Sequence, residues 1–162
     1  MPPLDYGPVT RHFYADVGTQ TVQVTKLLNY NLWSKVAQER LKELAQLPTN
    51  WNGYGSPKIS SDAIGECLTL LTDMAKLGMP MPSIIPISGG GLQIEWRNAK
   101  CELEIEIMPD KSVHYLITDS SKKMLEGSIV NNSNIAEFMP LTSWFMSEKV
   151  SISDLSVYAA AY

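Results

Sequence analysis

The stretch from Leu92 to Ile107, LQIEWRNAKCELEIEI, alternates apolar and polar residues twice in succession. Leu92, Ile94 and Trp96 stand against Gln93 and Glu95, and Leu103, Ile105 and Ile107 stand against Glu102, Glu104 and Glu106. A period of two sends successive side chains to opposite faces of an extended chain, whereas a helix would scatter these residues around its circumference. Two such runs joined by a short polar link require an antiparallel hairpin with one apolar face and one acidic face. A tight turn through Asn98-Ala99 pairs Ile94 with Leu103 and Leu92 with Ile105. On the other face it sets Glu95 opposite Glu102 and Gln93 opposite Glu104. Like charges directly opposite are destabilising, and Arg97 and Lys100 at the hairpin end offset this only in part.

The alternation extends beyond the hairpin. PDKS at 109–112 is a turn signal, VHYLIT follows as a strand, and MLEGSIV supplies a further short one. The prediction is an antiparallel meander of about four strands over 84–130, whose apolar face needs a cover. Trp33, Val36, Ala37, Leu41, Leu44 and Leu47 recur at helical spacing and predict a helix from about Asn31 to Leu47, ended by Pro48. Ser60 or Ser61 offers an N-cap, with Asp62 in the first turn, for a second helix carrying Ile64, Cys67, Leu68, Leu71, Met74 and Ala75. It stops near Gly78, ahead of Pro80 and Pro82. Asn134 and Glu137 resemble a capping box and open a short C-terminal helical segment, with Pro140 either breaking it or starting a second helix. The class is α+β, with two helices on one sheet face. The chain reads as a single domain over 1–162: a possible arm or hairpin at 1–25, a helical pair at 31–78, the sheet at 84–130 and a helical segment at 134–162.

Between the helices lies PTNWNGYGSP, at 48–57. Gly53 and Gly55 permit positive φ, and the two prolines interrupt helices. Trp51 suits a knuckle packed over the helix pair. Tyr54, between two glycines, is harder to bury and suits an exposed contact, as aromatics on loops often do.

Chemistry-bearing motifs are sparse. His12 and His114 are the only histidines, neither lies near a cysteine in sequence, and no C-x-x-C, H-E-x-x-H or acidic calcium loop occurs. The three strand glutamates are spread roughly 7 Å apart along one face, whereas a hard cation wants converging oxygens. No G-x-S-x-G elbow is present, and SGGGLQ at 88–93 leads into a strand, so it lacks the helix N-terminus of a phosphate loop. Neither a metal, a cofactor nor a catalytic residue is expected. With 13 Lys and Arg against 17 Asp and Glu, the formal net charge is −4. No basic run suits the nucleic-acid backbone, so direct nucleic-acid binding is not expected. Cys67 and Cys101 read as buried thiols in a reducing cytoplasm. No secretory leader is expected, since MPPLDYGPVTRHFY lacks a basic stretch followed by an apolar run, and the apolar runs fall short of the roughly 20 residues a membrane span needs.

NWNGYGSP, GGGLQIEW and LEIEIMPD together resemble a group of small bacterial and phage-borne proteins with a Trp-x-Gly-x-Gly-x-Pro loop, a Gly-Gly-x-Gln-x-Glu-Trp strand and a Pro-Asp turn. The resemblance covers about residues 31–118 and implies an antitoxin-like or defence-related role, with no catalytic residues to carry over. Sequence and resemblance lead to one expectation: a non-enzymatic cytoplasmic inhibitor that binds a basic protein (a toxin, nuclease or defence effector). Its contacts would be Glu95, Glu102, Glu104 and Glu106, with Tyr54 and Trp51. The alternative is a small-molecule or glycan-binding domain, with weak hydrolase activity as its enzymatic form, in which Trp51, Tyr54 and Trp96 line a pocket. A homodimer would arise if the N-terminal TVQV segment crossed to a second subunit's sheet edge.

Overall fold

The computed structural model describes residues 33–130 and 132–147, together with Ile152 and Leu155. The arm expected at 1–25 lies outside them. Five strands form one antiparallel sheet in chain order: β1 (Ser83–Ile87), β2 (Gly91–Arg97), β3 (Glu102–Ile107), β4 (Val113–Thr118) and β5 (Met124–Ile129). Two helices precede the sheet, α1 with described residues 33–45 and α2 (Ser61–Lys76). A 3-10 turn (Ile135–Glu137) and α3 (Met139–Met146) follow it. The architecture is α+β, with helices packed on one sheet face, as the two periodicities require.

The sheet holds one strand more than the alternation predicts. β1, Ser83–Ile87, carries Pro86, and a proline inside an apolar run argues against a central strand. β1 is an edge strand, where that argument does not apply. The β2–β3 register also differs from the expected one, by two residues. Ile94 pairs with Ile105 and Leu92 with Ile107, so Glu95 faces Glu104 and Gln93 faces Glu106. The cause is Asn98, which occupies the first turn position. Its Oδ1 accepts from the N–H groups of Lys100 (2.8 Å) and Cys101 (2.9 Å), which makes Ala99-Lys100 the central pair. A slip of two preserves the faces, so the apolar set still points inward.

Ser60 caps α2 as expected, its Oγ accepting from Asp62 and Ala63. At the other end Met79 N–H bonds Met74 O and Gly78 N–H bonds Ala75 O, a Schellman stop that uses Gly78 at φ +83°. The buried stripe is Ala63, Cys67, Leu70, Leu71, Met74 and Ala75. Leu68, expected inside, is on the flank and 41% exposed, and Leu70 takes the inward position. In α1, Trp33, Ala37, Leu41 and Leu44 are buried, whereas Val36 is 53% exposed because those four already fill the inward face. These residues join Leu92, Ile94, Trp96, Leu103, Ile105 and Ile107 in one apolar core. Asn134 caps the 3-10 turn through its side chain, and Pro140 sits in the first turn of α3. Phe138, Leu141, Trp144 and Phe145 close the core from that side. Among the described residues, no helix is long and apolar enough to cross a membrane.

Candidate functional site: the outer face of the sheet

Because the helices cover one face, alternation delivers the polar residues of the strands to the other. The registers arrange them in rows across the strands. One row runs Glu95–Glu104–Leu116–Glu126, and the next runs Gln93–Glu106–His114–Ser128. Arg97–Glu102–Thr118–Met124 forms a third. The carboxylates of Glu95 and Glu104 are thus directly opposite, a destabilising arrangement that needs an adjacent donor. Gln93 supplies it: its Nε2 donates to Glu95 Oε1 at 2.8 Å and to Glu104 Oε2 at 3.1 Å. Arg97 pairs with Glu102 instead, Nε to Oε1 at 3.1 Å. His114 Nδ1 and Ser128 Oγ lie 2.8 Å apart.

Burial raises the pKa of Glu104, and the nearby charges of Glu95, Glu102 and Glu106 add to the rise, with Arg97 opposing it. Beside it an open depression of about 550 Å³ lies between Glu104 and Glu106 on one flank and Glu126 and Ser128 on the other, with His114 and Leu116 between them. Of the expected site residues, the structure brings Glu95, Glu104 and Glu106 together around Gln93, while Glu102 is drawn toward Arg97. Glu126 and Leu116 were not anticipated. The alternation in MLEGSIV does hold the signal for Glu126, since its partner row is fixed once the β4–β5 register is known.

The loop is a separate feature. Asn50 Oδ1 accepts from Gly55 N–H at 2.6 Å, and Asn52 Oδ1 accepts from the N–H groups of Tyr54 and Ser56. Asn52 Nδ2 in turn donates to Ser56 Oγ and Ser88 Oγ, both at 3.1 Å, which fastens the loop to the β1–β2 turn. Gly53 and Gly55 adopt φ +76° and +82°. Trp51 packs against the core, whereas Tyr54 is 92% exposed. The pocket expected from Trp51, Tyr54 and Trp96 is not formed. Trp96 is fully buried with its Nε1 donating to Pro80 O at 2.8 Å, and it lies five residues, roughly 16 Å, along β2 from the end where the loop docks.

Neither cysteine has the surroundings of an activated thiol. Burial pushes the Cys67 thiol up to about 12 and raises that of Cys101 as well, so both sulfurs stay protonated. Among the described residues, no group of three or more His, Cys, Asp or Glu side chains is arranged to hold a metal ion. No protein-family model, curated protein or solved structure matches the chain.

Proposed function

We propose that the chain is a non-enzymatic binding protein that receives a basic protein partner on the outer face of its sheet and neutralises it. An antitoxin or a phage-borne anti-defence protein acting in the cytoplasm would have this role, and the resemblance of residues 31–118 favours the same class. The observation that carries the reading is the row Glu104–Leu116–Glu126. Neighbouring strands stand about 4.8 Å apart, so the two glutamates flank Leu116 across roughly 10 Å. A lysine or arginine stem laid over Leu116 would bury its methylenes and place its cationic head between carboxylates. Such a cation would also relieve the repulsion around Glu104. The summed negative field of the face would accelerate encounter with a basic partner and disfavour acidic ones.

The test is a paired pull-down from the native host with two baits, the wild-type chain and E104Q/E126Q. A stoichiometric basic partner should bind the first and be depleted on the second. With that partner purified, the variant should show a slower on-rate and a flatter salt dependence, since it weakens the negative field that speeds encounter. Equal capture by the two baits, or none by either at low and moderate salt, overturns the proposal.

A further inference from the structure

The two edges of the sheet are not alike. On β1, Arg40 Nε donates to Ile84 O at 3.1 Å, so Ile84 turns its backbone groups away from β2. Pairing alternates, so the next outward residue is Pro86, which has no N–H to offer. A side-chain cap and a proline therefore close that edge to further strands. On β5, Asp119 N–H bonds Lys123 O at the start of the hairpin, so Leu125, Gly127 and Ile129 bond toward β4. Met124, Glu126 and Ser128 then turn their N–H and C=O groups outward, with Val130 next in the alternation just past the end of the strand, and no described residue bonds these groups. Asn132 lies at the end of the sheet, where its Nδ2 donates to Lys111 O, and not alongside the β5 edge.

We infer that this edge pairs with β5 of a second copy of the chain, antiparallel about a two-fold axis through Gly127. The side chains select both the occupant and the register. An axis through Glu126 would oppose two like carboxylates. Moving it one residue to Gly127 sets Glu126 beside the partner's Ser128, which can donate to it. The same shift places Met124, 64% exposed, against the partner's Val130, which is 92% exposed in the single chain. Leu125 meets the partner's Ile129 on the inner face, where both are only partly buried at present. Gly127 meets its own symmetry mate.

A glycine suits that axis position. A Cβ there would lie 2.6 Å from Tyr115 Cζ, so the Tyr115 ring already occupies the space over Gly127. In the dimer the two tyrosine rings would come together over the paired glycines. Outward residues pair in register, giving about eight backbone hydrogen bonds once Val130 extends the strand, and one continuous sheet across both copies.

Light scattering and sedimentation of the full chain across a dilution series should give a mass of twice 18.0 kDa at high concentration, dissociating on dilution. M124K/V130K places lysines opposite each other at both ends of the interface. It should raise the dissociation constant on the order of a hundredfold, roughly tenfold for each symmetric pair. M124K/V130E restores opposite charges in this register alone and should recover dimerisation. Amide exchange at Glu126 and Ser128 of the wild type supplies a readout without substitution, with protection rising as concentration rises. A monomer at every concentration overturns the inference, as would arise if residues 1–32 covered the edge in cis. A dimer unaffected by the double lysine variant, or edge amides whose exchange ignores concentration, overturns it too.

Discussion

Glu104 gives the outer face a pH dependence of definite sign. Its folded pKa is raised above the ordinary 4.5 by burial and then by the Glu95 carboxylate. For a raised acid the stabilising contribution is complete below the unfolded value and is lost as pH rises through the folded one. Glu104→Gln should therefore unfold at higher denaturant than wild type near neutrality, by about a few tenths of a kcal/mol, and the advantage should vanish at pH 4 and below. Asp110 and Glu39 have lowered values, from hydrogen bonds to Ser112 and Lys42 respectively, and titrate with the opposite sign in both proteins. The difference between the two denaturation profiles thus isolates Glu104, and a variant less stable at pH 7 would contradict the account. Trp51 offers a second test at this scale. Its Nε1 is buried with no acceptor among the described residues, so removing that donor sacrifices no bond they make. Trp51→Phe should cost under about 1 kcal/mol, while Trp51→Ala should cost about 2–3 kcal/mol through lost packing. Equal costs in urea titrations would mean that the indole nitrogen, and not ring area, holds the loop.

The 49–57 loop shows what a sequence discloses about an element and what it withholds. Its glycines and prolines announced a turn, and the flanking helices placed it. The asparagines carry its internal order, and their bonding depends on residues up to 36 positions away, as with Asn52 and Ser88. Asn52→Ala removes two acceptor and two donor contacts at once and should lower stability by about 1–3 kcal/mol. Proteolysis within the loop should speed up by more than global unfolding explains; if both change in step, Asn52 supports the fold as a whole and not the loop. The same limit accounts for the hairpin. Alternation disclosed which side chains share a face, because that depends only on parity. It did not disclose the register, because a slip of two leaves parity intact and only the bonds made by Asn98 distinguish the alternatives. Glu95 consequently faces Glu104 and not Glu102, and the site's centre moves by one row. β1 stayed hidden for a related reason: whether a proline is tolerated depends on whether its strand has a neighbour on both sides, which is a property of the assembled sheet.

For the molecule as a whole, charge is sorted by layer. On the helices, Arg40 pairs with Glu43, Lys42 with Glu39 and Lys76 with Asp73, each at i,i+3 and each exposed, so that each pair adds little. The central rows of the outer sheet face hold carboxylates without matching cations, which is why a net charge of only −4 still yields one strongly acidic surface. Stability must then come from the apolar layer between helices and sheet, and that layer extends into the C-terminal segment. Ile152 and Leu155, three apart and both helical, are buried in the same core as Trp144 and Phe145. A helical segment over 134–162 is expected from the sequence, but Ile152 and Leu155 stand among Ser151, Ser153, Asp154 and Ser156, which makes a weak periodic signal, and only the core shows where they go. Burying two aliphatic side chains contributes about 3–6 kcal/mol, against a total stability on the order of 5–15 kcal/mol for a domain. Ending the chain after Ser147 should therefore bring the unfolding midpoint down by a large fraction, and I152A/L155A in the full-length chain should reproduce most of the loss without shortening it. If both proteins unfold at the wild-type denaturant concentration, the tail is an appendage and the domain ends with α3. If only the truncation destabilises, residues of the tail other than these two hold the segment in place.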